Sequence, residues 1–376
     1  MNIGWDMTHM PPIKDGTFEF ITRWLEAVAT HPGGHRHICY ANEGFRRMAT
    51  HPALQRLEWQ VTGNWTRNYR LHREWYFLRH QKTMMNEVDV LLSVYQTPFV
   101  WRGRGITIVL DCVKEHISIV HGLKNRFKFA VQDITERRSG RWLAISEWTR
   151  RDLAHYRGYP LERIRSAGIP VADLAGVAPG AGTETGRSLE LQGQRYAFYC
   201  SALSPRKNHI RLIRAWRQAF PGREVLLVLA GRYLPGDQTD LRAAIAAGEQ
   251  DGFVKYTGVV DDAERERLYK DADFVVYPSL HEGFGMPVLE ALRWGTPVLT
   301  SFGTSTEEVA GDAALLCDPN SEEDLVTKLR QIANDEALRA RLRSAAPAVL
   351  ERYSQENVAR QLHAAIEYLA RLEAGT

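Results

Sequence analysis

At 376 residues and 44% hydrophobic content, the chain exceeds what one hydrophobic core usually serves, so two cores are expected. Its 48 basic and 45 acidic residues leave a net charge of only +3, a balance that argues against a dedicated nucleic-acid binder. Cys39, Cys112, Cys200 and Cys317 stand far apart with no C-x-x-C pair, which excludes a small disulfide framework or zinc module and fits a reducing cytosol.

In chain order, Met1-Asn2-Ile3-Gly4-Trp5-Asp6 lacks the basic lead and apolar run of a signal peptide. No later window approaches the roughly eighteen uninterrupted apolar residues that a membrane span needs. Short β-branched and aromatic runs then alternate with stretches of helical period, the pattern of βα units feeding a parallel sheet. The first series predicts strands at 2–5, 37–40, 90–94, 106–110 and 142–145. Between them, Trp65, Arg67, Tyr69, Arg70, Arg73, Trp75, Tyr76 and Arg79 form an aromatic and basic stretch. It reads first as an amphipathic helix packing Leu71, Trp75 and Leu78 into the first domain. A second reading is a membrane-facing surface, because aromatics and arginines suit an interface carrying anionic lipid.

Residues 176–186 carry four glycines and little to bury, and read as a linker. A dinucleotide fingerprint starting at Gly180 fails, because Thr185 stands where its last glycine belongs and no strand precedes it. The expected division is therefore 1–186, including that linker, then 187–352, then a helix over 353–376 that returns to the first domain. The second series predicts strands at 196–200, 225–229, 253–256, 274–277 and 297–300. Three closing helices follow between Glu322 and Leu372, the last beginning after Tyr353-Ser354 with Val358, Leu362, Ile366 and Leu369 on one face.

Ligands of open parallel sheets sit beyond the carboxyl ends of the strands. At those ends the second half places Ser204-Pro205-Arg206-Lys207-Asn208, then Gly231, then Gly258, then Pro278 to Pro287, then Ser301 to Thr306. In the fourth loop Gly283 and Gly285 delay a helix, and Pro287 suits its first turn because the missing N–H has no partner there. The helix start forms an anion site, with Glu282 in the loop beside it and Glu290 in the first turn, so both carboxylates are expected to face one ligand. Arg206 and Lys207 would neutralise a diphosphate while the carboxylates accept sugar hydroxyls. Left without an anion, two cations at a helix start are disfavoured by up to about 1 kcal/mol.

These stretches resemble the family 4 retaining glycosyltransferases of the GT-B fold. The resemblance rests on Ser204 to Asn208, on Leu268-Tyr269 through Ala291 with its Glu-x7-Glu pair at Glu282 and Glu290, and on Gly295-Thr296-Pro297-Val298 through Glu308 to Ala313. It implies two doubly wound Rossmann-like domains facing a central cleft, with acceptor binding in the first and nucleotide-sugar binding in the second. It further implies that Glu282 holds hydroxyls of the transferred sugar, Glu290 the ribose, and Arg206 and Lys207 the diphosphate leaving group. The amides around Gly283, Phe284 and Gly285 would complete the phosphate cradle, Thr257, Gly258 and Val259 would border the base, and Gly16-Thr17 would match the glycine-bearing loop after the first strand. Many members carry a His-Asp pair after the strand at 106–109. Here Leu110-Asp111 stands instead, leaving Asp111, His116 and His121 as acceptor-side candidates.

The implied activity is transfer of a mannose- or glucose-type hexose from a GDP- or UDP-linked donor to a glycan or lipid-linked glycan, with retention. Surface polysaccharide synthesis in a bacterium, at the inner face of the cell membrane, is the setting the family suggests. No metal or cofactor is called for, since fixed cations and a helix end stabilise the leaving group. Asp271-Ala272-Asp273 spells the D-x-D string of metal-dependent transferases, but it directly precedes the strand at 274–277, and the resemblance implies a structural helix-to-strand turn there. The alternative is a catalytically silent nucleotide-sugar-binding protein, separated from an enzyme by donor hydrolysis or transfer.

Overall fold

A computed structural model describes residues 1–63, 69–112, 133–172, 191, 193–234, 236 and 238–373, with the side chains of 69 and 70 left aside. His116, His121, Trp65, Arg67 and the expected linker at 176–186 lie outside the described residues. The chain divides into two units, Met1–Pro170 with Tyr353–Thr376, and Val171–Arg352. The division after Pro170 falls sixteen residues before the boundary at 186 that the glycine-rich stretch suggested.

The first unit contains β1 (Asn2–Met7), α1 (Gly16–Thr30), β2 (Arg36–Ala41), α2 (Glu43–Met48), β3 (Glu58–Val61), α3 (Tyr69–Glu87), β4 (Val90–Val94), β5 (Gly105–Val109), β6 (Trp142–Ala144), α4 (Glu147–Arg157) and β7 (Ile164–Ser166). Its sheet is parallel throughout, ordered β3-β2-β1-β4-β5-β6-β7. All five residues of β4 and of β5 are buried, as strands covered on both faces must be. β3 and β7, which no apolar run announced, lie at the two edges, where Glu58 and Arg165 keep contact with solvent.

The second unit contains β8 (Tyr196–Cys200), α5 (His209–Ala219), β9 (Leu226–Ala230), α6 (Thr239–Gln250), β10 (Val254–Gly258), α7 (Asp262–Asp271), β11 (Phe274–Tyr277), α8 (Met286–Arg293), β12 (Val298–Ser301), α9 (Ser305–Ala310), β13 (Ala314–Cys317), α10 (Glu322–Asn334) and α11 (Glu336–Arg352). Its parallel sheet runs β10-β9-β8-β11-β12-β13. β13 is again a half-buried edge strand absent from the sequence reading. In both sheets the winding reverses beside the first strand, between β1 and β4 and between β8 and β11. These reversals are the switch points where doubly wound sheets open to ligands.

The last helix, α12 (Gln355–Arg371), belongs to the first unit. Ser354 caps it by accepting from the Asn357 amide, and Val358, Leu362, Ile366 and Leu369 are buried against α1 and β5 to β7. Each such aliphatic side chain contributes about 1.5–3 kcal/mol relative to exposure, enough to hold the segment without a covalent tie.

The helix α3 corrects the packing expected of it. Leu71, Trp75 and Leu78 are 71%, 53% and 59% exposed, and Phe77 and Met84 enter the core instead. Arg73, read as a surface cation, is 2% exposed and donates to the Gln96 carbonyl at 3.0 Å and to Glu74 at 2.8 Å. The aromatic pattern announced a helix but not its rotation, because apolar residues lie on two of its faces.

Candidate functional site

The site of the second unit is built on two adjacent strands. After β8, Ser204 is extended and Pro205–Lys207 form one tight turn, which Asn208 closes in the left-handed region at φ 63°. Asparagine tolerates that conformation, and here its side chain donates to the carbonyls of Pro278 (3.0 Å) and Pro319 (2.7 Å). Leu280 N–H donates to the Arg206 carbonyl at 2.8 Å, so the loop after β11 is fastened to the turn after β8. The close approach of neighbouring loops requires Gly231, whose φ is 142° and whose added Cβ would stand 1.8 Å from the Ser201 carbonyl oxygen.

Three of the four predicted side chains meet there. Glu282 accepts from Arg206 Nη1 at 2.8 Å on one oxygen and from Lys207 Nζ at 2.5 Å on the other. Arg206 also donates to the His281 carbonyl at 3.2 Å. Lys207 and Glu282 are 5% and 6% exposed, so the pair is desolvated rather than a solvated surface couple. Burial by itself raises a carboxyl pKa, yet Arg206 and Lys207 outweigh it and bring Glu282 down to about 2. Lys207 moves the other way for a cation, down to about 8, because burial and the repulsion of Arg206 exceed the attraction of Glu282. One carboxylate is shared by two cations, and the more buried cation carries the cost.

Tyr277, which the sequence reading left in the strand core, completes the cluster. Its hydroxyl contacts Lys207 Nζ and donates to Glu282 at 3.2 Å, while Lys207 Nζ lies 4.7 Å above its ring centre. The available signal was its place as the last residue of an apolar strand, where a hydroxyl reaches the carboxyl rim. Tyr199 supports the same turn by donating to the Lys207 carbonyl at 2.6 Å.

Gly285, at φ 107°, precedes α8, and an added Cβ would stand 2.8 Å from Thr306 Cγ2. Ser305 donates to the carbonyls of Glu282 (2.8 Å) and Phe284 (3.1 Å), which fixes the loop through Gly283. Glu290 differs from expectation: it is the fifth residue of α8, past the first turn. Burial, and next the Glu290 carboxylate beside its hydroxyl, raise the pKa of the buried Tyr269 phenol.

At the rim beyond β10, Thr257 donates to the Leu229 carbonyl at 3.2 Å, the Gly258 carbonyl accepts from Gly231 N–H at 2.7 Å, and Val259 is exposed. Asp271-Ala272-Asp273 occupies the opposite, amino end of β11. There Asp273 pairs with Arg195 at 2.5 Å. In the first unit Gly16 and Thr17 open α1 rather than forming a free loop, and the Thr17 and Phe18 amides already donate to Asp15 at 3.0 Å. Asp111 follows β5, half-buried at the carboxyl rim of that unit.

Residues 183–349 match the family described as glycosyl transferases group 1. The O-antigen chain mannosyltransferase B of Escherichia coli is 31% identical over 227 residues, covering 58% of this chain and 58% of that relative. The chain thus spans little more than half the length of this curated relative. Among solved structures, Anabaena HepE in complex with UDP and glucose superposes with a TM-score of 0.70 at 17% identity, over 97% of this chain and 99% of that one. WaaG, a glycosyltransferase involved in lipopolysaccharide biosynthesis, superposes with a TM-score of 0.65 at 17% identity, over 98% and 99%. By the sequence of its second unit the chain resembles the group 1 glycosyl transferases, of the family 4 type, and as a whole it shares the GT-B fold of the solved structures.

Proposed function

We propose that the chain transfers a hexose of the mannose or glucose type from a GDP- or UDP-linked donor to a glycan or lipid-linked glycan, with retention and without a metal. The observation that carries this reading is the buried cluster in which Arg206 and Lys207 share the single carboxylate of Glu282. A diphosphate is the ligand that two adjacent cations favour, and its negative charge grows as the glycosidic bond breaks. Arg206 and Lys207 would stabilise the departing diphosphate, and Glu282 would orient hydroxyls of the sugar. A leaving-phosphate oxygen would take the proton of the acceptor hydroxyl on the same face. Glu290 would turn to the ribose when the donor enters.

The mannosyltransferase relative supports mannose and a role in surface polysaccharide. Membrane contact is supported by α3, where Leu71, Trp75, Leu78 and Met85 form an exposed stripe flanked by exposed Arg79 and Lys82. Among the described residues no helix is long and apolar enough to cross a membrane, so the contact would be peripheral.

The test is a panel of GDP- and UDP-linked hexoses assayed for binding, hydrolysis and transfer in EDTA, with the product's anomeric configuration read by NMR. Transfer with retained configuration in EDTA is expected. Binding without any turnover would leave a silent nucleotide-sugar-binding protein, and inverted product or strict metal dependence would overturn the mechanism.

A further inference from the structure

A second cavity of the same unit lies behind the turn that carries Arg206 and Lys207. It has a volume of about 460 Å³ and an apolar floor that includes Ile210, Leu241 and Leu280; Arg211, Arg214 and Asp240 supply its charges. That size and lining suit a small ligand rather than a bare ion. Three observations give it a polarity. The amino terminus of α5, an eleven-residue helix, opens onto it, and its capping residue Asn208 directs its side chain to the Pro278 and Pro319 carbonyls instead of to the first-turn amides. Ser204, 6% exposed, lines the cavity with a buried hydroxyl that has no protein partner among the described residues. Arg214 is exposed at its edge, and Arg211 is held in place by Asn208 Oδ1 at 2.9 Å and the Pro319 carbonyl at 2.8 Å.

We propose that this cavity binds a small phosphate-bearing organic anion, distinct from the donor. The phosphate would sit at the start of α5, taking amide hydrogens, the Ser204 hydroxyl and the Arg214 guanidinium. Its carbon-bearing part would cover Ile210, Leu241 and Leu280, with Asp240 accepting from a hydroxyl. The geometry also couples the cavity to the first cluster. Ser204 and Pro205 begin the turn whose next two residues hold Glu282, and the Ser204 carbonyl accepts from Lys207 N–H at 3.0 Å. A ligand there braces that turn, so donor affinity rises when the cavity is filled, and by linkage the donor tightens the ligand by the same factor.

The experiment is calorimetric titration of the whole chain with mannose 1-phosphate, which supplies both phosphate and hydroxyls. One equivalent is expected to bind, with affinity lowered at least tenfold in Arg214→Glu and in Ser204→Val and unchanged in Arg206→Ala. Thermal melting of each variant establishes that it is folded. Absence of binding would overturn the proposal. So would binding that Arg206→Ala abolishes and Arg214→Glu spares, which would place the phosphate in the donor cluster and leave the transferase reading standing.

Discussion

The two sheets reverse their winding at equivalent places, yet their switch points are filled in opposite ways. In the first unit Asp6, at the end of β1, accepts from the Thr8 hydroxyl (2.7 Å), the Thr8 amide (3.1 Å) and the Ser93 hydroxyl (3.2 Å), with Arg73 at 4.0 Å. Burial raises its pKa, but His9, 4.0 Å away, followed by Arg73 and Thr8, lowers it overall, and the charge is answered from within the unit. In the second unit Glu282 answers two cations at once. The same topology therefore places a carboxylate among hydroxyls in one unit and bridges a carboxylate between two cations in the other.

The strongest way to break this comparison is Lys207→Ala, which leaves Glu282 buried with one partner. A stability loss of about 3–5 kcal/mol in thermal denaturation is expected, together with donor binding too weak to titrate. Normal values of both would show the cluster to be idle. Glu282→Gln removes the shared anion while keeping the shape. Turnover should fall about a hundredfold, with a smaller change in donor KM, since the sugar is misplaced more than the diphosphate is released. Asp6→Asn sharpens the contrast: melting should report a loss of about 1–3 kcal/mol, and donor affinity should stay at the parent level. A donor defect as large as that of Lys207→Ala would erase the distinction between the units.

The pH response follows from the shifts. Lys207 has a folded pKa of about 8 against its usual 10.5, so donor affinity should decline above pH 8 as the ammonium is lost. For stability the sign differs. The unfolded chain binds more protons between those values, so this group alone makes folding more favourable as pH rises through them. Glu282, about 2 folded against 4.5, contributes stability that is present above pH 4.5 and lost as pH falls toward 2. Donor titrations from pH 6 to 10 and melting from pH 2 to 6 read the two effects separately; a flat alkaline limb would contradict a charged Lys207 at the site. The smallest effect belongs to the first unit's α3. Vesicles containing anionic lipid should sediment the chain at low salt, and Arg79→Glu with Lys82→Glu should reduce that severalfold without altering donor hydrolysis. Arg73 is unsuitable for this test because its burial makes any substitution a folding defect.

Central strands were legible in the sequence because strands buried on both faces are mostly apolar: β8 and β11 are apolar and aromatic throughout, and β4 and β5 carry one hydroxyl each, Ser93 and Thr107. The edge strands β3, β7 and β13 were not, since half-buried strands carry polar residues that look like loop. Gly285 and Pro287 announced the start of α8. Tyr277 was hidden because its ring reads as one more member of an apolar run, although its place as the last residue of that run marked the rim.

What the amino-acid order determined by itself was local: the βα alternation, the caps, the left-handed turn residues and the charged residues at the ends of the strands. These depend on neighbours within a few positions, where propensity and periodicity act. Only the tertiary structure decided that Arg206 and Lys207 meet a carboxylate seventy-six and seventy-five residues away, that Glu290 lies by Tyr269, and that α3 turns Leu71 and Trp75 outward. Strand order across the switch point and the burial it imposes set those outcomes, and neither is encoded in any single stretch of chain.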